Sequence, residues 1–524
     1  MVEIAPAPVT FPGDPTLILC GENLGGARTL SSVKAWLLER GFYQKFSTDE
    51  EGDAWSLAVS RTNLRRLITL GSSDKRLMGS TTPKRILILG GGFAGLAVAM
   101  ELEKSLARDG SVEVTLINRE NFFLFTPMLH EVAASDLDLT TIVNPARKML
   151  RYVRFFAGEI LQIDVEQRKV VVSHGFDNHQ HILQFDYLVL GLGAVTNHYG
   201  LPGLKENALT MKSLGDAMRL RNHLIAHLEE ADSDCCKAKE PLLAFVVAGG
   251  GFAGVETIAG INDFVRGALR SYRKLTEGML RIVLVHSGPV ILPELDGRLG
   301  AYAQRKLVDR KVEVRLKTKV EGFSGREVRL SDGTTIRTNT LVWTAGTSSN
   351  PLLESIPCAK ERGRLLVTES LEVRDLPGVW ALGDCSAALD PRTGGFYPPT
   401  AQHALRQGKI VAQNIAAAVR GREKKPFRFS TIGQLAAIGR RTGVANILGV
   451  NFSGFSAWWL WRTIYLSKLP RFEKKLRVAF DWTLDLLFSK DLVQFLDIRA
   501  PMVSRPEADA GLEWPISRVD GKEA

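Results

Sequence analysis

Cysteine is scarce: the chain has five in 524 residues, and no pair has C-x-x-C spacing. Such a count builds no disulfide framework, suits a reducing compartment and argues against a metal site. Long apolar runs are also missing. No stretch gives about 18 apolar residues outside the glycine-rich turns, so no membrane span is expected. The opening residues, Met-Val-Glu-Ile-Ala-Pro-Ala-Pro, lack a basic segment followed by an apolar one, so no secretory signal is expected there. No basic face interleaved with aromatics and no nucleic-acid motif occurs, which sets nucleic acid aside as a partner. Acid is short relative to base: 67 Lys and Arg against 57 Asp and Glu leave a net charge of +10. That excess favours anionic partners, with dinucleotides and anionic lipid ahead of nucleic acid.

Glycine, by contrast, is present in a telling arrangement. Residues 86–89 read as a buried strand. Gly90, Gly92 and Gly95 follow at G-x-G-x-x-G, with Phe93 and Ala94 inside the turn, and a helix-like run comes next. The first glycine permits the tight turn, the second lets a pyrophosphate approach the backbone, and the third lets helix and strand pack closely. The helix N-terminus adds free N–H groups and about half a positive charge. Gly249, Gly251 and Gly254 repeat the hexapeptide, Phe252 included, after a second apolar run, Ala244–Ala248. The expected fold is therefore α/β, with two Rossmann-like dinucleotide-binding domains.

Taken in order, residues 1–80 read as a small α/β extension of unknown role. Strands are expected over 16–20 and 55–60, helices over 29–40 and 62–69, and a linker over 71–83. In the first βαβ unit the second strand (112–117) ends in Asn118-Arg119, where an acid commonly holds the ribose hydroxyls. Asn118 can still bond a hydroxyl. Residues 122–130 form an aromatic loop, either plain core or a cover for a ring cofactor. Residues 156–190 suggest hairpins, and 213–231 a long amphipathic helix. Cys235-Cys236 reads as two free thiols in a loop. In the second βαβ unit Glu256 falls in the first helical turn, either as a dipole partner or beside whatever the turn binds. Its second strand ends in His286-Ser287, again without the acid, so NADP is not excluded, though NAD is favoured. Residues 341–346 close a strand on Ala345-Gly346. Residues 379–384 form a strand ending in Gly383-Asp384, placed to take sugar hydroxyls. Pro398-Pro399-Thr400 opens a helix at Ala401, with Gln402, His403 and Gln407 near its start, a plausible anion or carbonyl site. From Pro426 onward, Trp458, Trp459, Trp461 and Tyr465 sit among apolar residues, and six Lys or Arg follow closely (Arg462 to Arg477). Aromatics favour a membrane interface and cations favour anionic headgroups; a helical layer on the core or a dimer face is the plainer alternative.

Two dinucleotide turns with a strand–Gly-Asp element after the second is the layout of the two-dinucleotide-binding-domain flavoprotein reductases. Within that group the chain resembles type II NADH dehydrogenase, the single-subunit, non-pumping NADH:quinone oxidoreductase. Leu124-Phe125-Thr126-Pro127 resembles the flavin-covering segment of that family. Gly193–Asn197 with Gly200-Leu201-Pro202-Gly203 is similar to its domain crossover, which brings Gly193 and Ala194 to the flavin. Gly249–Glu256 matches its NADH turn, and Ala401-Gln402-x-Ala404 with Gln407 looks like its quinone motif A-Q-x-A-x-Q-Q. Residues 432–439 and 458–461 resemble its C-terminal membrane-binding region.

The resemblance implies FAD on the first turn, anchored by Asp384, and NAD(P)H on the second, with Ala345-Gly346 at its edge. It divides the chain into residues 84–240 and 326–425 for FAD, 241–325 for NAD(P)H, 426–500 for membrane binding or dimerisation, and a tail over 501–524. Hydride would pass from NAD(P)H to FAD and two electrons to a menaquinone or ubiquinone. Glu256 would orient the nicotinamide, Gln402 and Gln407 would line the quinone pocket, and His403 would be a possible proton donor. A peripheral seat on the cytoplasmic side of the cell membrane and a homodimer are implied as well. The departures are Asn118 and His286 for the usual acids, Arg406 for the first of the paired glutamines, and the extra residues 1–80. Sulfide:quinone oxidoreductase shares the fold and needs cysteines at the flavin, for which Cys358 and Cys385 are the candidates. A soluble NAD(P)H-flavin reductase and a non-catalytic flavin- and NAD-binding sensor are the remaining alternatives.

Overall fold

The computed structural model describes residues 16–22, 45–48, 54–60 and 83–494, apart from 109, 234–238 and 489. Two units result, Met1–Thr82 and Pro83–Ala524. In the first, β3 (Ala54–Ser60) pairs antiparallel with β1 (Thr16–Glu22) on one side and with β2 (Lys45–Thr48) on the other. The two expected strands are there, joined by β2. The helices expected over 29–40 and 62–69, the linker before residue 83, Cys235-Cys236 and the tail over 501–524 lie outside the described residues.

The second unit opens with β4 (Lys84–Leu89), α1 (Phe93–Ser105) and β5 (Val112–Asn118). β4 lies inside a parallel sheet covered on both faces, and such strands read as continuous apolar runs. Ile86, Ile88 and Leu89 are accordingly 0% exposed. Each such side chain contributes about 1.5–3 kcal/mol by leaving water. After β5 the chain makes a short helix, α2 (Leu129–Ala133), then β6 (Arg154–Ala157), a three-stranded antiparallel meander over 159–184, and β7 (Tyr187–Leu190).

It then crosses into a second parallel sheet through β8 (Leu209–Thr210) and α3 (Leu214–Asp232). Ser213 and Asp216 form a reciprocal capping box at the start of α3, which fixes the direction of entry. β9 (Ala244–Ala248), α4 (Phe252–Ala268), β10 (Arg281–Val285), β11 (Glu313–Arg315) and β12 (Thr340–Trp343) complete the second sheet, in the order β8-β12-β9-β10-β11. β13 (Val379–Ala381) returns beside β7, giving the first sheet the order β13-β7-β4-β5-β6. The second sheet is therefore an insertion in the first. α5 (Ala401–Val419) follows, capped by Thr400, and packs across α1, where Ala97 and Gly408 approach closely.

The C-terminal region does not begin as helix. β14 (Gly433–Ala437), β15 (Gly443–Ile447) and β16 (Val450–Gly454) form an antiparallel sheet before α6 (Phe455–Lys468) and α7 (Phe472–Leu487). Trp461 of α6 and Trp482 of α7 join one core cluster with Val132 of α2 and Val255 and Ile258 of α4. The other side of α7 is left to solvent: Phe472, Leu476, Phe480 and Leu487 are 57–73% exposed. Their spacing of three to four residues, or multiples of it, puts them on one stripe. Among the described residues no helix is long and apolar enough to cross a membrane.

Candidate functional site

Both glycine turns open toward one cavity of about 870 Å³. Gly92, Phe93 and Ala94 line it from the first turn, and Phe252, Ala253 and Glu256 from the second. Thr126, Pro127 and His130 come from the aromatic loop, Gly193 and Ala194 from the crossover, and Gly383 and Asp384 from the end of β13. Thr400 and Ala401 come from the start of α5, and Leu435 and Tyr465 from the C-terminal region.

Each turn needs its glycines. Gly90 sits at φ +96°, and a Cβ there would lie 2.4 Å from the Gly191 carbonyl oxygen. A Cβ on Gly95 would lie 1.9 Å from the Gly90 carbonyl oxygen, whereas one on Gly92 would meet nothing within 4 Å. In the second turn Gly249 has φ +120°, and a Cβ on Gly254 would lie 1.8 Å from the Gly249 carbonyl oxygen. Gly92 and Gly251 cap their helices without any side-chain hydrogen bond. The N–H groups of both first turns are thus left for an anion.

Asp384 supplies the other half of a dinucleotide site. Burial pushes its carboxyl above the usual range, against the pull of Lys212 and Arg364. Among the described residues it has no hydrogen-bond donor, so it is an acceptor held ready for alcohols. Lys212 donates to the Ala194 carbonyl at 3.4 Å, which ties the crossover to this corner. An open phosphate turn with a half-buried carboxylate across the cavity fits FAD: pyrophosphate on α1 and sugar hydroxyls on Asp384.

Glu256 holds the opposite wall. α4 starts at Phe252, so Glu256 is its fifth residue and lies in the second turn, not the first. Oε1 accepts from the Ala437 N–H at 3.1 Å and from the Trp461 indole N–H at 3.0 Å. Oε2 is 3.7 Å from His130 Nδ1. This is not an ion pair. Burial lifts the Glu256 carboxyl to about 8 and drives the His130 imidazole down to about 3, helped by the charge of Lys490. Both partners are neutral at pH 7. Tyr465 closes the corner, edge-on to Trp461 at 4.8 Å and to Phe125 at 6.1 Å. Behind His130, Glu131 Oε2 accepts from the Trp482 indole N–H at 3.0 Å, and burial lifts its carboxyl too to about 8 despite the guanidinium of Arg462. Arg462 lies between two rings, 4.3 Å from the centroid of Trp458 and 4.5 Å from that of Trp482.

Several expected site residues stand elsewhere. Gln407 is buried outside the cavity; its Oε1 accepts from the Gly383 N–H at 2.7 Å, so it fixes the turn that carries Asp384 and does not line a pocket. Gln402 donates to the Gly433 carbonyl and is also outside the cavity. His403 is buried with Nδ1 on Thr400 Oγ1 at 2.8 Å, between the rings of Tyr397 and Phe429, so it faces no substrate. Asn118 spends its Oδ1 on the Gly91 N–H at 2.8 Å and its Nδ2 on the Glu120 carbonyl at 2.7 Å. Arg119 pairs with Glu120 in solvent. His286 repeats the pattern of Asn118, its Nδ1 accepting from the Gly250 N–H at 3.1 Å. Each of these two residues braces its glycine turn in place of the usual acid. Ala345 packs behind Gly249, and Gly346 lies against Tyr199 and Asn197 of the crossover, so neither lines the cavity. Trp461, grouped from sequence with interfacial aromatics, is fully buried on Glu256. Lys212, His130, Glu131, Arg364 and Trp482 carry no local signal of their own; the partners that give them a role are distant in sequence. Cys385 is buried, its thiol pushed up to about 12 mainly by burial, and neither it nor Cys358 lines the cavity. Among the described residues, then, neither candidate cysteine stands where sulfide chemistry at the cavity would need it.

Residues 84–408 match the family described as pyridine nucleotide-disulphide oxidoreductase, and residues 432–491 match the family described as NDH2 C-terminal domain. The type II NADH:quinone oxidoreductase Ndh of Mycobacterium tuberculosis is 31% identical over 78% of this chain and 89% of its own length. A structure of NDH2 from Plasmodium falciparum in complex with NADH superposes with a TM-score of 0.73 at 19% identity, over 79% of this chain and 100% of that one. The sulfide:quinone oxidoreductase of Aquifex aeolicus shares the fold less closely, with a TM-score of 0.59 at 16% identity over 78% of this chain and 96% of that one.

Proposed function

The chain belongs to the type II NADH dehydrogenases, within the pyridine nucleotide-disulphide oxidoreductase family, and from that premise we propose how its residues divide the work. The reaction is oxidation of NADH and reduction of a quinone without proton pumping. When bound, FAD supplies the chemistry, taking hydride from NADH and passing two electrons to the quinone.

The residues bind, orient and hold protons. The first turn and Asp384 seat the flavin dinucleotide; Gln407 keeps the Gly383 turn in the shape that aims Asp384. The second turn would seat NADH, and Phe252 and Thr126 line the cavity between the two turns. Glu256 is the observation that carries this reading. It is a carboxyl at the junction of both turns and the C-terminal region, neutral at pH 7, with Oε1 pinned by Ala437 and Trp461. A protonated carboxyl held there can donate to the nicotinamide amide or to a quinone oxygen, as a buried acid with a raised pKa does elsewhere. Tyr465 and Leu435 set the side from which a quinone enters. Thr400 and Ala401 at the start of α5, in place of Gln402 and His403, meet that space.

The exposed stripe on α7, with Trp459 and Phe455 on α6, supports a peripheral seat on an anionic membrane, the exposed cations Lys468 and Arg477 adding about 1 kcal/mol each near the surface. On this reading the quinone enters from the lipid. A homodimer and attachment from the cytoplasmic side are the family expectations for the same region.

The test is steady-state oxidation of NADH by purified, FAD-loaded protein with menaquinone and ubiquinone analogues. Turnover with at least one quinone supports the proposal, and none with either refutes it. Flotation with anionic vesicles tests the membrane seat: protein remaining at the bottom of the gradient rejects it.

A further inference from the structure

The two phosphate turns differ in one respect: a carboxylate stands at the rim of the second. A Cβ on Gly92 would meet nothing, but one on Gly251 would lie 3.7 Å from Oε1 of Glu294. Glu294 comes from the loop after β10, and that loop is pinned to the turn. Leu292 N–H donates to the Gly250 carbonyl at 2.7 Å, and Gly250 N–H donates to His286 Nδ1 at 3.1 Å.

These bonds settle what His286 can do. Accepting at Nδ1 requires a neutral ring with its proton on Nε2. Burial disfavours the imidazolium, and outweighs the opposite pull of the Val290 carbonyl and the Glu294 carboxylate. His286 therefore brings no positive charge to a 2′-phosphate and no free acceptor to a ribose hydroxyl. In a dinucleotide fold an acid commonly performs that second duty from the end of this strand. Here the strand end is occupied by the brace, and the acid arrives from eight residues further on.

We propose that Glu294 is the specificity-determining residue of the second turn, accepting the adenosine ribose 2′-hydroxyl of NADH and repelling the 2′-phosphate of NADPH. His286 is the positioning residue that fixes turn and loop against each other. Among the described residues nothing, carboxylate included, comes within 4 Å of a Cβ on Gly92 at the equivalent rim of the first turn, and a flavin dinucleotide poses no such choice. The inference rests on the assignment of the second turn to NADH. Glu294 is solvent-exposed, so its repulsion is partly screened and the discrimination is modest.

The experiment is calorimetric titration of the full-length, flavin-loaded protein with NAD⁺ and with NADP⁺, which share the adenosine end and avoid turnover. Glu294→Gln is expected to weaken NAD⁺ and tighten NADP⁺, moving the ratio of their Kd values by on the order of tenfold, the size of one charge-assisted hydrogen bond. Glu294→Ala is expected to move the ratio in the same direction, with the flavin absorbance band reporting intact protein in both. A ratio that stays at the wild-type value overturns the proposal, and so does an equal change for both nucleotides, which would place Glu294 on the shared pyrophosphate. Wild-type protein that binds neither nucleotide overturns the assignment of the turn, and this inference falls with it. Binding with an unmoved ratio overturns this inference alone.

Discussion

Glu256→Gln tests the electrostatic centre of the site through stability, independently of turnover. Glu256 titrates near 4.5 when unfolded and near 8 in the folded chain, raised chiefly by burial and only partly countered by the N–H bonds from Ala437 and Trp461. The folded state therefore keeps a proton that the unfolded state releases. The stability this confers is fully present below pH 4.5, falls by about 1.4 kcal/mol per pH unit above it, and is gone once pH passes 8. Histidines act in the opposite sense below their unfolded value of 6.5: His130 and His223 are held neutral by burial, near 3, and stability is lost as pH falls. Between pH 6.5 and 8 the histidines lowered by burial still contribute, but equally in wild type and variant, so the difference between the two isolates Glu256. Glu256 accounts for about 2 kcal/mol of stability lost over this interval, and Glu256→Gln should lack that part of the wild-type slope. Glutamine keeps the acceptor for Trp461 and Ala437, so packing is conserved. Urea unfolding followed by tryptophan emission at a series of pH values reads both slopes. A variant as steep as the wild type refutes the neutral, buried Glu256 on which the site rests.

Three further outcomes follow from the geometry. Gln407→Ala leaves the buried Gly383 N–H without its acceptor, at a cost of about 1–3 kcal/mol, and loosens Asp384; flavin retention after gel filtration should fall while NAD⁺ binding persists. Gly254→Ala would place a methyl 1.8 Å from the Gly249 carbonyl oxygen, so NAD⁺ binding should fall at least tenfold with flavin content unchanged, whereas Gly95→Ala should strip the flavin; titration and the flavin absorbance band separate the two, and matching losses in both variants would contradict the division of labour. Phe480→Glu puts a charge on the exposed stripe of α7, and vesicle co-sedimentation should drop several-fold with NADH oxidation by a water-soluble quinone retained; undiminished co-sedimentation would remove α7 from the membrane seat.

The sequence by itself determined the two turns, their glycines and the order in which the chain uses them. It also placed Asp384 at the end of its strand and marked the aromatic loop. Those features are local: a glycine spacing, an apolar run and a strand end carry their geometry within a few residues. The tertiary structure decided which side chains meet. Trp461 reaches Glu256 across 205 positions, and Trp482 reaches Glu131 across 351. Nothing in a helical pattern separates a tryptophan facing lipid from one facing a buried carboxylate, because both lie on apolar faces. Gln407 shows the same limit at short range. It sits in a recognisable motif only 24 residues from Gly383, yet only the packing of α5 under the β13 turn makes it a brace. Likewise Asn118 and His286 occupy the positions of acids, but the turns they hold are visible only once strand and helix are docked. Protonation, too, is beyond the reach of sequence. Glu256 and Glu131 keep their protons near neutral pH because the surrounding chain removes water from them, and burial is a property of the assembled fold.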